Sequence, residues 1–212
     1  MAKSKRINEN FIHSCGLAQI PISTKIVSIS KMGFTSEQLI KVLDFYLLSA
    51  PILKSEKIEE PFGLKSLRYY KWAGSSAMTK LEGQLLKSSG INTFCILKSN
   101  SIEETLAAMN LGYEICTEHP RAVLKQNAKA VMHEDGSVEV RQEETRMECL
   151  FRHIRNSIAH NHTYLFDNDN IMLEDNEENG NTSARIVMPR KALLDWIEII
   201  TQGNNSKKFN ES

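Results

Sequence analysis

Residues 149–162 read CLFRHIRNSIAHNH, and this stretch decides how the chain is read. It ends a helical pattern running from Arg141 to about His160. In that pattern Met147, Leu150, Phe151, Ile154 and Ile158 keep the i, i+3, i+4, i+7 spacing of one apolar face. The stretch also holds three of the six histidines, two arginines and a cysteine. Arg152, Asn156 and His160 follow one another at four-residue steps, so they form a polar line beside the apolar stripe. Ser157 and Ala159 are small and leave room for a close neighbour. One face of this helix packs, and another can grip an anion.

Outward from it, the pattern is mostly helical. Upstream, Thr35–Gln38 offers a capping box. Leu39, Ile40, Val42, Leu43, Tyr46 and Leu47 follow as an apolar face, and Pro51 closes the helix. A second helix is expected over 63–89, with a possible break at Gly74, followed by a β-like run at 91–97. Ser101–Glu104 is a further capping box, opening a helix through Leu106, Met109, Leu111 and Ile115 until His119-Pro120 interrupts it. Residues 130–140 read as a hairpin turning at Asp135-Gly136. After the central helix come short strands at 163–166, 170–174 and 184–188. Pro189 is then expected at the first position of a closing helix that turns Leu193, Leu194, Ile197 and Ile200 inward. The expectation is a mainly α fold with a small β addition. It has an arm over 1–34, one helical domain over 35–202 and a flexible tail over 203–212.

Composition sets the outer bounds. The chain has 212 residues, with 26 basic and 26 acidic side chains, 41% hydrophobic and 25% charged residues. Such a chain can bury a core, and disordered, collagenous and disulfide-scaffold classes are excluded. Zero net charge also excludes a broadly basic coat for nucleic acid. The charge is uneven, with 14 basic against 9 acidic residues over 1–106 and 12 against 17 over 107–212. No apolar run reaches the roughly 20 residues of a membrane span, and MAKSKRINEN lacks the apolar core of a secretory signal. Cys15, Cys95, Cys116 and Cys149 form no CxxC pair, which suits reduced thiols and a cytoplasmic location.

Chemically, the central helix is the only dense cluster. His160 falls near the helix C-terminus, where the dipole favours its protonated form by about 0.3–1 kcal/mol, and it can act as acid or base near neutral pH. Arg155 is a planar, permanent cation suited to phosphate. On a straight helix the two are about 140° and 7.5 Å apart. A base, an anion clamp and the Asn156 amide suit phosphodiester cleavage. The plainer reading of the same residues is solvated side chains, or donors to the last helical carbonyls.

FRHIRNSIAH resembles the signature helix of HEPN domains, in which Arg, a polar residue and then His are set four to six residues apart. Here Arg155 and His160 enclose Asn156, Ser157, Ile158 and Ala159. The resemblance covers about 20 residues. It implies a helical bundle that dimerises with two motif helices face to face. It also implies a metal-independent endoribonuclease of the toxin or anti-phage kind, cleaving RNA by 2′-OH attack to leave a 2′,3′-cyclic phosphate, with no cofactor. By carry-over His160 is the general acid/base, Arg155 steadies the phosphorane charge, and Asn156 orients the phosphate or His160. Arg152 and His162 are expected to bind substrate. RNA, a second copy of the chain and an antitoxin or regulatory protein are the implied partners, with no membrane. One HEPN subgroup carries a modifiable Tyr two residues after the motif His. Here that position is His162 and the nearest tyrosine is Tyr164, which argues against tyrosine nucleotidylation. The alternative function is a catalytically silent module of the same fold that binds a nucleotide or a protein.

Three stretches carry residues of rival chemistry. Cys149, His153, His160 and His162 are zinc-type ligands within one stretch, although an HxH pair at a helix end splays its rings and Cys149 reads more simply as core. Glu174–Glu178 lacks the alternation of a calcium loop and reads as a solvated hairpin tip. Residues 68–72, RYYKW, could stack bases but are read as a helix with Tyr70 inward.

Overall fold

In the computed structural model, the described residues are 25–26, 28–48, 76–97, 102–109, 111, 119–142, 144–166 and 168–203. Most of the expected arm, Pro51, the first half of the 63–89 helix with RYYKW, Ser101, Ile115 and the tail after residue 203 lie outside them.

The capping box at Thr35 forms as expected. The Gln38 backbone N–H donates to Thr35 Oγ1 at 3.2 Å, and the Thr35 N–H donates to Gln38 Oε1 at 3.0 Å. It opens α1 (Ser36–Leu43), which continues into a single wider turn over Asp44–Leu48. That turn buries Phe45 and Tyr46 against the core, while Ile40, expected inside, is 65% exposed. Helix α2 (Ala77–Ser89) ends at Gly90 in the left-handed conformation (φ 68°). Helix α3 (Glu103–Ala108) stops before Leu111. The central helix is α4 (Arg146–Ala159), and α5 (Ala192–Gln202) closes the described chain.

The expectation of a mainly α bundle with a small hairpin is overturned by the strands. Strands β1 (Lys25–Ile26), β2 (Thr93–Leu97), β3 (Arg121–Lys125), β6 (Thr163–Leu165), β7 (Asn170–Asn176) and β8 (Thr182–Pro189) form one six-stranded sheet in the order β1-β6-β7-β8-β3-β2. Strands β2 and β3 run parallel and the other neighbouring pairs antiparallel. Strands β4 (Ala128–Met132) and β5 (Val138–Gln142) are the expected hairpin, turning at Gly136 with φ 81°. Strands β2, β6, β7 and β8 fall where short strands are expected, but β1, β3 and the assembly of all six into one sheet were hidden for two reasons. Arg121–Lys125 has no signal except its neighbours, because its partner β8 lies some sixty residues away in the chain. Residues of β7 and β8 are buried on both faces, so they lack the alternation that marks a half-exposed strand. Pro189 ends β8 rather than starting α5.

One face of the sheet carries α4, whose contacts run to β7, β3 and β8, with α1, α2 and α5 packed behind. Three large rings join these layers: Phe151 of α4 lies 6.2 Å from Tyr46 and 6.4 Å from Trp196. Their polar ends are satisfied, Tyr46 Oη donating to the Leu193 carbonyl at 3.0 Å and Trp196 Nε1 to the Leu85 carbonyl at 2.9 Å. On the other face Ile102, Leu106 and Leu111 cover Val123, Tyr164, Met172 and Val187. Among the described residues no helix is long and apolar enough to cross a membrane.

Candidate functional site

Helix α4 is defined at both ends by its own sequence. At the start, Thr145 Oγ1 accepts from the Glu148 N–H at 3.2 Å, and Glu148 Oε2 accepts from the Thr145 N–H at 2.6 Å. At the end, Asn161 takes φ 57°, its N–H bonds the Ile158 carbonyl at 3.2 Å, and the His162 N–H bonds the Ser157 carbonyl at 2.8 Å. This is a Schellman ending with Asn in the left-handed position, and it places His160 at the C-cap. Between the caps, Met147, Leu150, Phe151, Ile154 and Ile158 are buried as the spacing predicts. Cys149, His153 and Ser157 are buried with them.

The polar line divides in two. Arg152 turns inward: its Nε and Nη2 bond the two oxygens of Glu144 at 2.8 and 2.7 Å, and Nη2 also reaches the Lys125 carbonyl at 3.0 Å. Burial pushes the Glu144 carboxyl upward, but the Arg152 bonds and the Asn127 N–H outweigh it and leave it below its usual value. For Arg152, burial acts against the charge and Glu144 more than restores it. Asn156 also turns inward, its Nδ2 donating to Asp175 Oδ2 at 3.1 Å. His160 lies at the other end, exposed, with its ring centroid 6.2 Å from that of His162. His162 Nδ1 is 3.4 Å from Asn176 Nδ2, and Asn176 in turn donates to Glu174 Oε1 at 3.2 Å.

Arg155 differs from the other two arginines of α4. Among the described residues, Arg146, Arg152, Arg185 and Arg190 each hold a carboxylate within 3.0 Å. The Nε of Arg155 is buried with no hydrogen-bond partner. A buried donor without a partner costs free energy, and among the described residues the guanidinium it belongs to is the one on α4 that no carboxylate holds.

Sequence reasoning missed four of the polar residues here. His153, a zinc-type ligand by its spacing, is fully buried, its Nδ1 donating to Asp175 Oδ2 at 2.7 Å and its Nε2 lying 2.8 Å from the Lys125 carbonyl. Glu174 and Asp175 belong to the acidic stretch expected to be a solvated hairpin tip. Both are buried in β7, pointing to opposite faces: Glu174 pairs with Arg185 at 2.8 Å, Asp175 with His153. Glu144 received no reading at all. A strand period through 170–176, which puts neighbouring acids on opposite faces, was the signal available for the two acids. Cys149 Sγ faces the Lys125 carbonyl at 3.5 Å, and burial pushes its thiol well up. Among the described residues no three His, Cys, Asp or Glu side chains are grouped to hold a metal.

The family model described as HEPN pEK499 p136 matches residues 84–204, which include β2, α4 and every residue of this site. No curated protein and no solved structure matches the chain.

Proposed function

The chain belongs to the HEPN family whose model it matches, and from that membership we propose that it is a metal-independent endoribonuclease. The observation that carries the reading is Arg155, a motif guanidinium with a buried, unpartnered Nε beside a helix end that presents an exposed histidine. His160 removes the proton from a ribose 2′-OH. The 2′-oxygen then forms a bond to the adjacent phosphorus as the bond from phosphorus to the 5′-oxygen breaks. Arg155 balances the charge that builds on the equatorial oxygens. The 5′-oxygen takes the proton that His160 now carries and leaves as a hydroxyl, and the other product ends in a 2′,3′-cyclic phosphate. DNA lacks the nucleophile and is spared. His162, next to His160, helps bind the phosphate. Arg152 contributes positive potential from behind, because Glu144 already holds its guanidinium. Asn156 acts within the helix, its amide being taken by Asp175. The protein acts as a homodimer with the two motif helices facing a shared cleft, in cytoplasmic growth arrest or anti-phage defence under an antitoxin or regulatory partner.

Incubation of the purified chain with mixed RNA in EDTA tests this, with His160→Ala and Arg155→Ala alongside. The wild type should cleave and each variant should fall by about 100-fold or more. Cleaved ends should carry cyclic phosphate. No cleavage by the wild type, or equal cleavage by all three, sinks the nuclease and favours a silent binding module.

A further inference from the structure

Asp175 lies on β7, outside the motif, and is 3% exposed. Its Oδ2 alone meets three residues of α4. His153 Nδ1 donates to it at 2.7 Å, Asn156 Nδ2 donates at 3.1 Å, and Arg152 Nη1 lies 3.8 Å away. A carboxylate only accepts, so the proton of this shared contact sits on His153 Nδ1. The strand is irregular at this point, its register against β8 shifting between Asp175 and Asn176. Glu144 takes Arg152 from the other side. Two carboxylates therefore draw the polar residues at 152, 153 and 156 into the molecule. The Nε of Arg155, between them in sequence, is left without an acceptor.

We propose that Asp175 is a positioning residue for the cleavage reaction. It acts through Asn156 and His153, and the inference rests on the nuclease reading above. By anchoring Asn156 it sets the roll of the last two turns of α4 against the sheet, and thus the direction in which Arg155 is presented. By holding His153 and facing Arg152 it also keeps those groups from competing with Arg155 for the phosphate. The motif asparagine then serves geometry and does not touch the substrate. A misplacement of about 1 Å at the reacting centre is enough to cost about 100-fold in rate.

The test compares wild type, Asp175→Asn, Asn156→Ala and the double variant in cleavage of one RNA. Binding of the same RNA with 2′-deoxyribose at the cut site is measured in parallel. Each single change should lower kcat by about 10- to 100-fold and leave the affinity for the uncleavable RNA within about twofold. The double variant should be no worse than the worse single, as expected for two groups in one contact. Effects that multiply, a kcat unchanged in Asp175→Asn, or weakened binding of the uncleavable RNA by Asn156→Ala would overturn the proposal. Should Asp175→Asn not fold, Asn156→Ala at a half-buried site decides alone by its split between kcat and binding. Absence of cleavage in the wild type would instead count against the nuclease reading itself.

Discussion

At the scale of single residues, the site depends on one backbone conformation. Asn161 holds φ 57° at the end of α4, and that turn carries both His160 and His162. Asn tolerates the left-handed region and Gly does so freely, whereas a β-branched residue does not. Asn161→Gly is expected to keep stability and cleavage near wild type. Asn161→Val should cost about 1–2 kcal/mol in urea unfolding and lower cleavage with it, because the chain leaves the helix in another direction. Equal behaviour of the two variants would mean that the turn does not place the histidines. The placement of His160 at the helix end was legible from the apolar periodicity that runs up to it. The inward turn of Arg152 and Asn156 was not legible, because the carboxylates that draw them in lie on other elements.

At the scale of elements, Glu144 joins the hairpin to the motif helix. It follows β5, accepts from the Asn127 N–H at 2.7 Å near the start of β4, and grips Arg152 in α4. Its carboxyl titrates below the usual 4.5 in the folded chain. A depressed folded value adds stability above the unfolded value, and that stability is lost as pH falls through the folded one. The wild type should therefore lose thermal stability on acidification below about pH 4.5 more steeply than Glu144→Gln, as melting curves across that range would show. Parallel slopes would remove Glu144 from the acid response. Helix α1 and the β4–β5 hairpin were readable because a cap, periodicity and an Asp-Gly turn are local signals; the apolar face of α4 was readable too, but the helix starts at Arg146 and not at the expected Arg141, because residues 141–142 complete β5. Helix α1 still needed correction at its end: the wider turn over Asp44–Leu48 inserts Phe45 and Tyr46, and Ile40 rotates outward.

At the scale of the whole molecule, zero net charge is compatible with the proposed nuclease because charge is sorted by position. The acids at 144, 174 and 175 are consumed by Arg152, Arg185 and His153 inside the fold, and the Nε of Arg155 is left without a partner. A homodimer through α4 would bring two such arginines into one cleft. A solution mass at micromolar concentration should correspond to about twice 24.1 kDa, and a clean monomer would remove the shared cleft. The sequence by itself determined the motif, the caps of α1, the apolar face of α4 and the family resemblance, since each depends on residues within a few turns of one another. Only the tertiary structure decided that the chain is built on a six-stranded sheet and that the motif helix is held by acids from β7 and from the end of the hairpin. The reason is physical: strand pairing joins segments as distant as β3 and β8, and a buried charge declares itself only once its partner has been folded against it.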